Sequence, residues 1–307
     1  MSYTGKAILD ALAEYANFMH KEHRTPQSWF AVEAFENSAA LDHLRSRLAD
    51  EESQMVFDWM IRARLGAFLF RNLAKTLEVF PPRIASQKWE HMAAKAKAMP
   101  EAILERNIEV DLVENFVLDG YNLPGICEVL PTDIVLDLGG FNGNSAIALG
   151  RHCPDGKVYV FEPNPVMHGV ITRNLAVFDM QNVELVPMGV GEKSEKLRFS
   201  EKGAASRPDP TGNHEVDITT VDEWVRLNGL THVDFIKFDI EGFERQAMQG
   251  ARATIRAHRP KLAISIYHLH DDPVVLSRMV DALGWYKMYL RHNAYGMGEI
   301  VLFCDPI

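Results

Sequence analysis

Charged side chains occupy every second position in one apolar stretch, FIKFDIEGFE at 235–244. Lys237, Asp239 and Glu241 alternate there with large apolar residues. Successive side chains of a strand point to opposite faces, so the pattern predicts a strand with an ammonium and two carboxylates along one face. We expect Lys237, the deepest of the three, to neutralise carboxylates that would otherwise raise each other's pKa. Such a group suits the binding or deprotonation of a hydroxyl.

A histidine ends the next predicted buried strand, in SIYHLHDD at 265–272. His268 is a natural general base near neutral pH, because the reference pKa of histidine is about 6.5. Asp239 would then orient that histidine, hold the molecule that carries the hydroxyl, or accept the hydroxyl proton itself. A capping or core role is the structural alternative for His268, and it is the favoured interpretation for His270.

A divalent cation is an alternative occupant of the same strand ends. Oxygen and nitrogen ligands suit several metals, and the sequence offers them at Asp239, Glu241, His268, His270 and Asp271. No fixed ligand spacing supports this alternative, so we favour a site without a metal.

A second set of candidate residues lies earlier, at DLGGFNG (137–143) and VFEPNP (160–165). Gly139 and Gly143 allow a tight turn and close approach of the backbone to a ligand. Glu162 follows Asp137 by twenty-five residues and is placed to accept hydrogen bonds from both hydroxyls of a ribose. The spacing lacks the GxGxxG of a dinucleotide site, and Asp137 suits the ammonium of a methionine group, directly or through water. The pattern therefore favours S-adenosylmethionine over NAD.

The elements that would position these residues alternate between strands and helices from Thr132 onward. This alternation predicts parallel pairing in a doubly wound α/β sheet, with an antiparallel hairpin formed by the last two strands at one edge. KLRFS (196–200) would be a short additional strand. Residues 1–120 show apolar stripes at helical spacing and predict a helical N-terminal segment before a domain at 121–307. That segment would pack on the domain, shape the acceptor site or form a homodimer.

Five segments in order, VLDLGGFNGNS, FEPNP, ITTVDEWV, FIKFDIEGFE and KLAISIYH, resemble the FkbM family of S-adenosylmethionine-dependent methyltransferases. The resemblance implies a class I methyltransferase (Rossmann-like) fold, whose mostly parallel seven-stranded sheet ends in reversed strands. It implies O-methylation of a saccharide or natural-product hydroxyl. The cofactor-binding residues implied are Asp137, Gly139, Gly143, Glu162 and Asn164. Gly140 and Phe141 depart from the Ala-Asn that the family often has in this turn.

Composition limits the partners. The formal net charge of −10 disfavours nonspecific binding to nucleic acid or anionic membranes. Three dispersed cysteines and the lack of a signal-like apolar segment at the N-terminus predict a cytoplasmic protein. A small molecule or a glycan is the expected acceptor.

Three other hypotheses remain open from the sequence. One is a catalytically silent methyltransferase-like module that assembles with partners through its N-terminal helices. Another is an NAD-dependent oxidoreductase, and a third is methylation at nitrogen or carbon. The polar loop at 201–215 is expected to be an acceptor-binding lid or a disordered segment.

Overall fold

A computed structural model describes residues 3–23, 25–199, 212 and 214–307. The loop predicted at 201–215 lies outside the described residues except at positions 212, 214 and 215, and its role as a lid stays a prediction. The helices before the first strand are α1 (Tyr3–His23), α2 (Pro26–Glu36), α3 (Ser38–Arg47), α4 (Glu51–Phe70), α5 (Leu73–Val79), α6 (Ser86–Lys97) and α7 (Glu109–Leu112). A 3₁₀ turn at Pro100–Ile103 and a π turn at Val113–Val117 complete this helical region.

Strands and helices then alternate, as the sequence predicts. The strands are β1 (Ile134–Leu138), β2 (Lys157–Phe161), β3 (Val183–Val186), β4 (Gly189–Val190), β5 (Glu195–Phe199), β6 (His214–Thr219), β7 (Phe235–Phe238), β8 (Lys261–Ser265), β9 (Tyr286–His292) and β10 (Ile300–Pro306). The helices among them are α8 (Asn144–His152), α9 (Pro165–Val177), α10 (Val221–Leu227), α11 (Glu244–Gly250), α12 (Arg252–His258) and α13 (Asp272–Asp281).

Local capping explains where several helices begin. The Asn164 side chain accepts a hydrogen bond from the Val166 N–H at 3.0 Å, and Pro165 occupies the first turn of α9. The Thr220 hydroxyl caps α10 by accepting from the Glu223 N–H at 3.0 Å. These caps stop the preceding extended segments and fix where each helix starts beside the sheet.

The described strands form a seven-stranded sheet in the order β3-β2-β1-β7-β8-β10-β9. The pairs β1–β2, β2–β3, β1–β7 and β7–β8 are parallel, and the strands at the β9 edge are antiparallel. This arrangement confirms the predicted doubly wound fold with an N-terminal helical region. The short strand predicted at 196–200 corresponds, over its described residues, to β5 (Glu195–Phe199), which lies in a separate three-stranded sheet of order β4-β6-β5.

The chain divides into two compact units. The first comprises 1–86 and 266–302, and the second comprises 87–265 and 303–307. The predicted division into 1–120 and 121–307, and the roles predicted for its first part, stay predictions. Among the described residues, no helix is both long enough and apolar enough to cross a membrane.

Candidate active site

The second unit contains the point at which the strand order reverses. The chain runs outward from β1 through β2 to β3, and it then returns to place β7 on the other side of β1. Ligands of open α/β sheets bind beyond the carboxyl ends of the strands at such a point. The candidate residues of β1, β2 and β7 lie at these strand ends.

A buried ion pair joins β1 to β7. Asp137 is directly paired with Lys237 in the sheet register. The Lys237 Nζ donates to Asp137 Oδ1 at 2.8 Å and to the Gly139 carbonyl at 2.9 Å, and both side chains of the ion pair are at most 1% exposed. The other Asp137 oxygen accepts from the Ser145 hydroxyl at 2.7 Å. Asp137 is fully buried, and its cofactor role stays a prediction.

Lys237 neutralises carboxylates, as expected, but its nearest partner is Asp137 rather than Asp239 or Glu241. Its Nζ lies 3.9 Å from Asp239 Oδ2, against 2.8 Å from Asp137. Burial lowers the pKa of Lys237, but the Asp137 and Asp239 carboxylates outweigh burial, and the net pKa lies above the usual value. The ammonium is therefore charged at neutral pH, and it holds the ends of β1 and β7 together.

Tyr121 completes this cluster from the segment just before β1. Its hydroxyl donates to Asp239 Oδ2 at 2.8 Å, and Lys237 Nζ lies 4.9 Å from the centre of its ring. The ring is buried. The polar end of Tyr121 therefore contacts a candidate catalytic carboxylate.

The turn after β1 brings the backbones of two strands into close approach. Gly139 has φ +91°, and a Cβ at that position would lie 1.9 Å from the Asp239 carbonyl oxygen. No L side chain fits there, because real Cβ atoms never come so close to a backbone atom. Gly143 also has a positive φ, of +88°, and precedes α8. Both glycines thus have the backbone conformation of a tight turn, and their close approach to a cofactor stays a prediction.

Glu162 lies at the end of β2, as the sequence predicts, and contacts that same turn. Its Oε2 accepts from the Phe141 N–H at 2.8 Å, and its Oε1 accepts from the Asn164 N–H at 2.7 Å. Burial raises the pKa of Glu162 to about 7, although the two backbone donors oppose the rise. The replacement of the family's Ala-Asn by Gly140-Phe141 therefore leaves a backbone contact between the turn and Glu162.

Asn164 and Glu241 lie in local structures that the sequence pattern did not predict, a helix cap and a turn. The Asn164 side chain caps α9, so its contact with a cofactor stays a prediction. The strand predicted to carry Lys237, Asp239 and Glu241 ends at Phe238. Glu241 lies beyond it in a left-handed conformation, with φ +58°, and Gly242 follows with φ +98°. The alternation of the sequence therefore continues into a turn, and the role proposed for Glu241 is untested.

Sequence reasoning missed several side chains that fix the site. Glu244 is fully buried and accepts from the Ile240 N–H at 2.8 Å, which ties α11 to the turn after β7. Asn107 accepts from the Asn144 side-chain amide at the start of α8. Asn174 accepts from the Glu105 N–H at 2.8 Å and donates to the Asn142 carbonyl at 2.8 Å. The two asparagines of FNGNS could have indicated these contacts, because side-chain amides buried in a turn almost always have hydrogen-bond partners.

His268 belongs to the first unit. Its ring centroid lies 4.2 Å from that of Tyr267, and both residues line a cavity of about 800 Å³. His270 lines the same cavity and packs its ring against Trp29 at a centroid distance of 4.4 Å. The cooperation of His268 with Asp239 that the sequence predicts, and the cation alternative, stay predictions.

Comparisons with known proteins give a consistent family. Residues 139–295 match the family model described as Methyltransferase FkbM domain. The 2-O-methyltransferase NoeI of Sinorhizobium fredii (strain NBRC 101917 / NGR234) is 21% identical over 195 residues, covering 56% of this chain and 79% of NoeI. Methyltransferase sdnD of Sordaria araneosa is 23% identical over 159 residues, covering 39% of this chain and 61% of sdnD.

One solved structure has a similar fold over most of the chain. The crystal structure of a methyltransferase FkbM from Methylobacillus flagellatus KT superposes with a TM-score of 0.59 and 20% identity, covering 91% of this chain. The chain spans 62% of the length of that protein and 61% of the length of sdnD. At this identity the likeness concerns the fold.

Proposed function

The chain belongs to the FkbM family of methyltransferases, and from that premise we propose that it transfers a methyl group from S-adenosylmethionine to a hydroxyl of a saccharide or natural product. The observation that carries the proposal is the buried Glu162 carboxylate beside the glycine turn, at the reversal point of the sheet. The name of NoeI, a 2-O-methyltransferase, supports oxygen as the methylated atom.

The hydrogen bonding of Glu162 supports a nucleoside with two free ribose hydroxyls. An ionised carboxylate has about four acceptor positions, and backbone N–H groups occupy one on each oxygen here. One position on each oxygen remains for a donor, which matches a ribose diol. The two backbone bonds fix the carboxylate in place, so little reorganisation is needed when such a ligand binds.

The chemistry proposed for the chain is the removal of one proton from the acceptor hydroxyl. S-adenosylmethionine supplies an electrophilic methyl group when bound. His268 accepts the hydroxyl proton as general base, a contribution of about 10²- to 10⁴-fold in rate. Tyr121 and Lys237 hold Asp239, whose carboxylate orients the acceptor. Positioning of the hydroxyl accounts for much of the remaining acceleration.

Isothermal titration with S-adenosylmethionine and with NAD tests the cofactor. We expect S-adenosylmethionine to bind more tightly, and tighter binding of NAD would refute the proposal in favour of an oxidoreductase. Incubation with labelled S-adenosylmethionine and an extract of the source organism should transfer label to an acceptor, and mass spectrometry would locate the methyl group on oxygen rather than on nitrogen or carbon.

Two variants test the assigned roles. His268→Gln and Asp239→Asn should each lower methyl transfer at least tenfold while binding S-adenosylmethionine within about twofold of the parent. If both variants kept full activity, the base and the orienting carboxylate would lie elsewhere. If the parent protein bound no S-adenosylmethionine and both variants preserved the biological role, the silent interaction module would be the better description.

A further inference from the structure

The cavity of the first unit is lined by cationic side chains, although the protein as a whole is acidic. Its described lining includes two arginines, Arg64 and Arg71, together with three histidines, and it includes no carboxylate. The whole chain, by contrast, carries a formal net charge of −10. A concave site lined by one sign of charge attracts ligands of the opposite sign, because low-dielectric walls concentrate the field. The cavity therefore favours an anion.

Arg64 is a fixed cation in the wall of this cavity. Its Nη1 donates to the His270 carbonyl at 3.1 Å, and its guanidinium lies 5.4 Å from the centre of the Phe30 ring. Burial lowers the pKa of Arg64 to about 10, a fall that Asp272 and Asp271 oppose, and the group remains charged at neutral pH. A guanidinium has five N–H donors, and one of those of Arg64 bonds the His270 carbonyl.

Arg71 contributes a second charge from an exposed position at the end of α4. It adopts φ +50° as the C-cap of that helix, a left-handed conformation in which glycine is the usual residue. Its contact among the described side chains is a weak one, from Nη2 to the Met19 sulfur at 3.5 Å. A charged residue thus occupies a strained position that glycine would fill at lower cost, as is common at binding sites.

We propose that this cavity binds the methyl acceptor through an anionic group held by Arg71 and Arg64, so that the acceptor is an acidic or phosphorylated saccharide of about disaccharide size. The size follows from the volume of about 800 Å³, which is typical of sites for small organic ligands. The planar guanidinium matches carboxylate and phosphate oxygens in paired hydrogen bonds. Phe30 and Tyr267 supply apolar wall for a sugar ring. The identification of the ligand as the acceptor rests on the proposed function, since His268 lines the same cavity.

Titration calorimetry with three sugars of similar size tests the inference on the full chain. The probes are D-glucuronate, glucose 6-phosphate and glucose. We expect at least one charged sugar to bind at least tenfold more tightly than glucose, and the stronger of the two charged probes identifies a carboxylate or a phosphate. Equal affinities for all three sugars, or no binding of either charged one, would overturn the inference.

Arg71→Gly separates binding from folding. Glycine relieves the left-handed backbone, so this variant should melt at the same temperature as the parent or higher. It should nevertheless bind the charged sugar about tenfold more weakly, with no change for glucose. The matched control is Arg259→Gly, which removes an arginine with φ +48° at the end of α12, outside the cavity lining, and should leave sugar affinity unchanged. Loss of binding in both variants, or in neither, would contradict the assignment.

The same samples distinguish this inference from the proposed function. Binding of the charged sugar without any binding of S-adenosylmethionine would leave the anion site standing and refute the methyltransferase assignment. Methyl transfer that uses uncharged acceptors and is unaffected by Arg71→Gly would refute the anion site and support the methyltransferase assignment.

Discussion

At the scale of single residues, Lys237 explains why charge is tolerated in a buried strand. Its ammonium is paired with Asp137 on the adjacent strand and with the Gly139 carbonyl, while the Tyr121 ring covers it. Buried charges are stable only when they are paired and hydrogen-bonded. The carboxylate of Asp239 then lies at the partly exposed end of the same cluster, 23% accessible, where it can meet a ligand.

Removal of this ammonium should be strongly destabilising. In Lys237→Met, Asp137 would be left as a buried charge without its cation, and we expect the free energy of unfolding to fall by roughly 3–5 kcal/mol. Urea denaturation measures the change. The double variant Asp137→Asn/Lys237→Met should recover part of the loss, because the uncompensated charge is gone. A double variant as unstable as the sum of both single variants would show that the pair is not coupled.

The second residue-scale prediction concerns Glu162. Its pKa of about 7 lies above the ordinary 4.5, so the protonated form stabilises the folded state. This contribution is fully present below about pH 4.5 and is lost as the pH rises through 7, an effect of about 3 kcal/mol. The free energy of unfolding of Glu162→Gln, taken relative to that of the parent, should therefore be higher at pH 8 than at pH 5. Urea denaturation of both proteins at the two pH values measures this difference.

A matched control for that measurement is Glu184→Gln, which alters an exposed carboxylate on β3. This substitution should change the free energy of unfolding by the same amount at pH 5 and at pH 8. Ligand binding gives an independent check, because a ribose bonds better to the ionised form. S-adenosylmethionine should bind the parent more tightly at pH 8 than at pH 6, whereas the dependence should flatten in Glu162→Gln. A parallel dependence in the two proteins would exclude Glu162 as its source.

At the scale of elements, the turn between β1 and α8 is fitted to the neighbouring strand. A Cβ at Gly140, where relatives often have alanine, would lie 2.1 Å from Val160 Cγ2 on β2. Val160 is fully buried and is paired with Asp137 in the register. Val160 therefore occupies the space that a Cβ at position 140 would need.

This fit predicts coupling between the two positions. Gly140→Ala alone should lower the free energy of unfolding by about 1–3 kcal/mol through overpacking. In the presence of Val160→Ala the same substitution should cost less, with a favourable interaction energy of about 1 kcal/mol in a double-mutant cycle. Thermal or urea denaturation of the four proteins gives the cycle, and strictly additive effects would show that Val160 is not the obstructing group.

At the scale of the whole molecule, the first unit is built from distant parts of the chain. Asp281 on α13 accepts from Arg47 Nε at 2.6 Å, and Arg291 on β9 donates to Asp50 Oδ2 at 2.7 Å. The Leu290 N–H on the same strand donates to the Ser53 hydroxyl at 2.9 Å. The N-terminal helices therefore supply partners for a segment that lies more than 200 residues later.

A chain that begins at residue 87 should fail to form the segment at 266–302 correctly. That segment would lose Ser53, the ion pairs and the apolar face of α4, so we expect aggregation or rapid hydrogen exchange throughout it. Hydrogen exchange followed by mass spectrometry would locate the loss. A soluble truncated chain with parent-like protection in that segment would show that the N-terminal helices are dispensable to it.

Much of this arrangement was accessible from sequence, and the failures have specific causes. The strand ends and Glu162 followed from periodicity and from turn residues, which act locally. The partner of Lys237 did not, because Asp137 is 100 residues away and periodicity carries no register between strands. The end of β7 at Phe238 was missed because the alternation of charge continues into a turn. Asn107 and Glu244 were missed because their roles arise from tertiary hydrogen bonds.

The sequence alone determined the α/β class, the glycine turn, the strand ends that carry the candidate residues and the resemblance to the FkbM family. These properties follow from local spacing of apolar, glycine and acidic residues. Only the tertiary structure decided that Asp137 is neutralised by Lys237 and that Tyr121 holds Asp239. It also placed two arginines, and no carboxylate, in the described lining of one cavity. Such contacts depend on strand register and on the meeting of distant segments, and no short pattern in the chain encodes either.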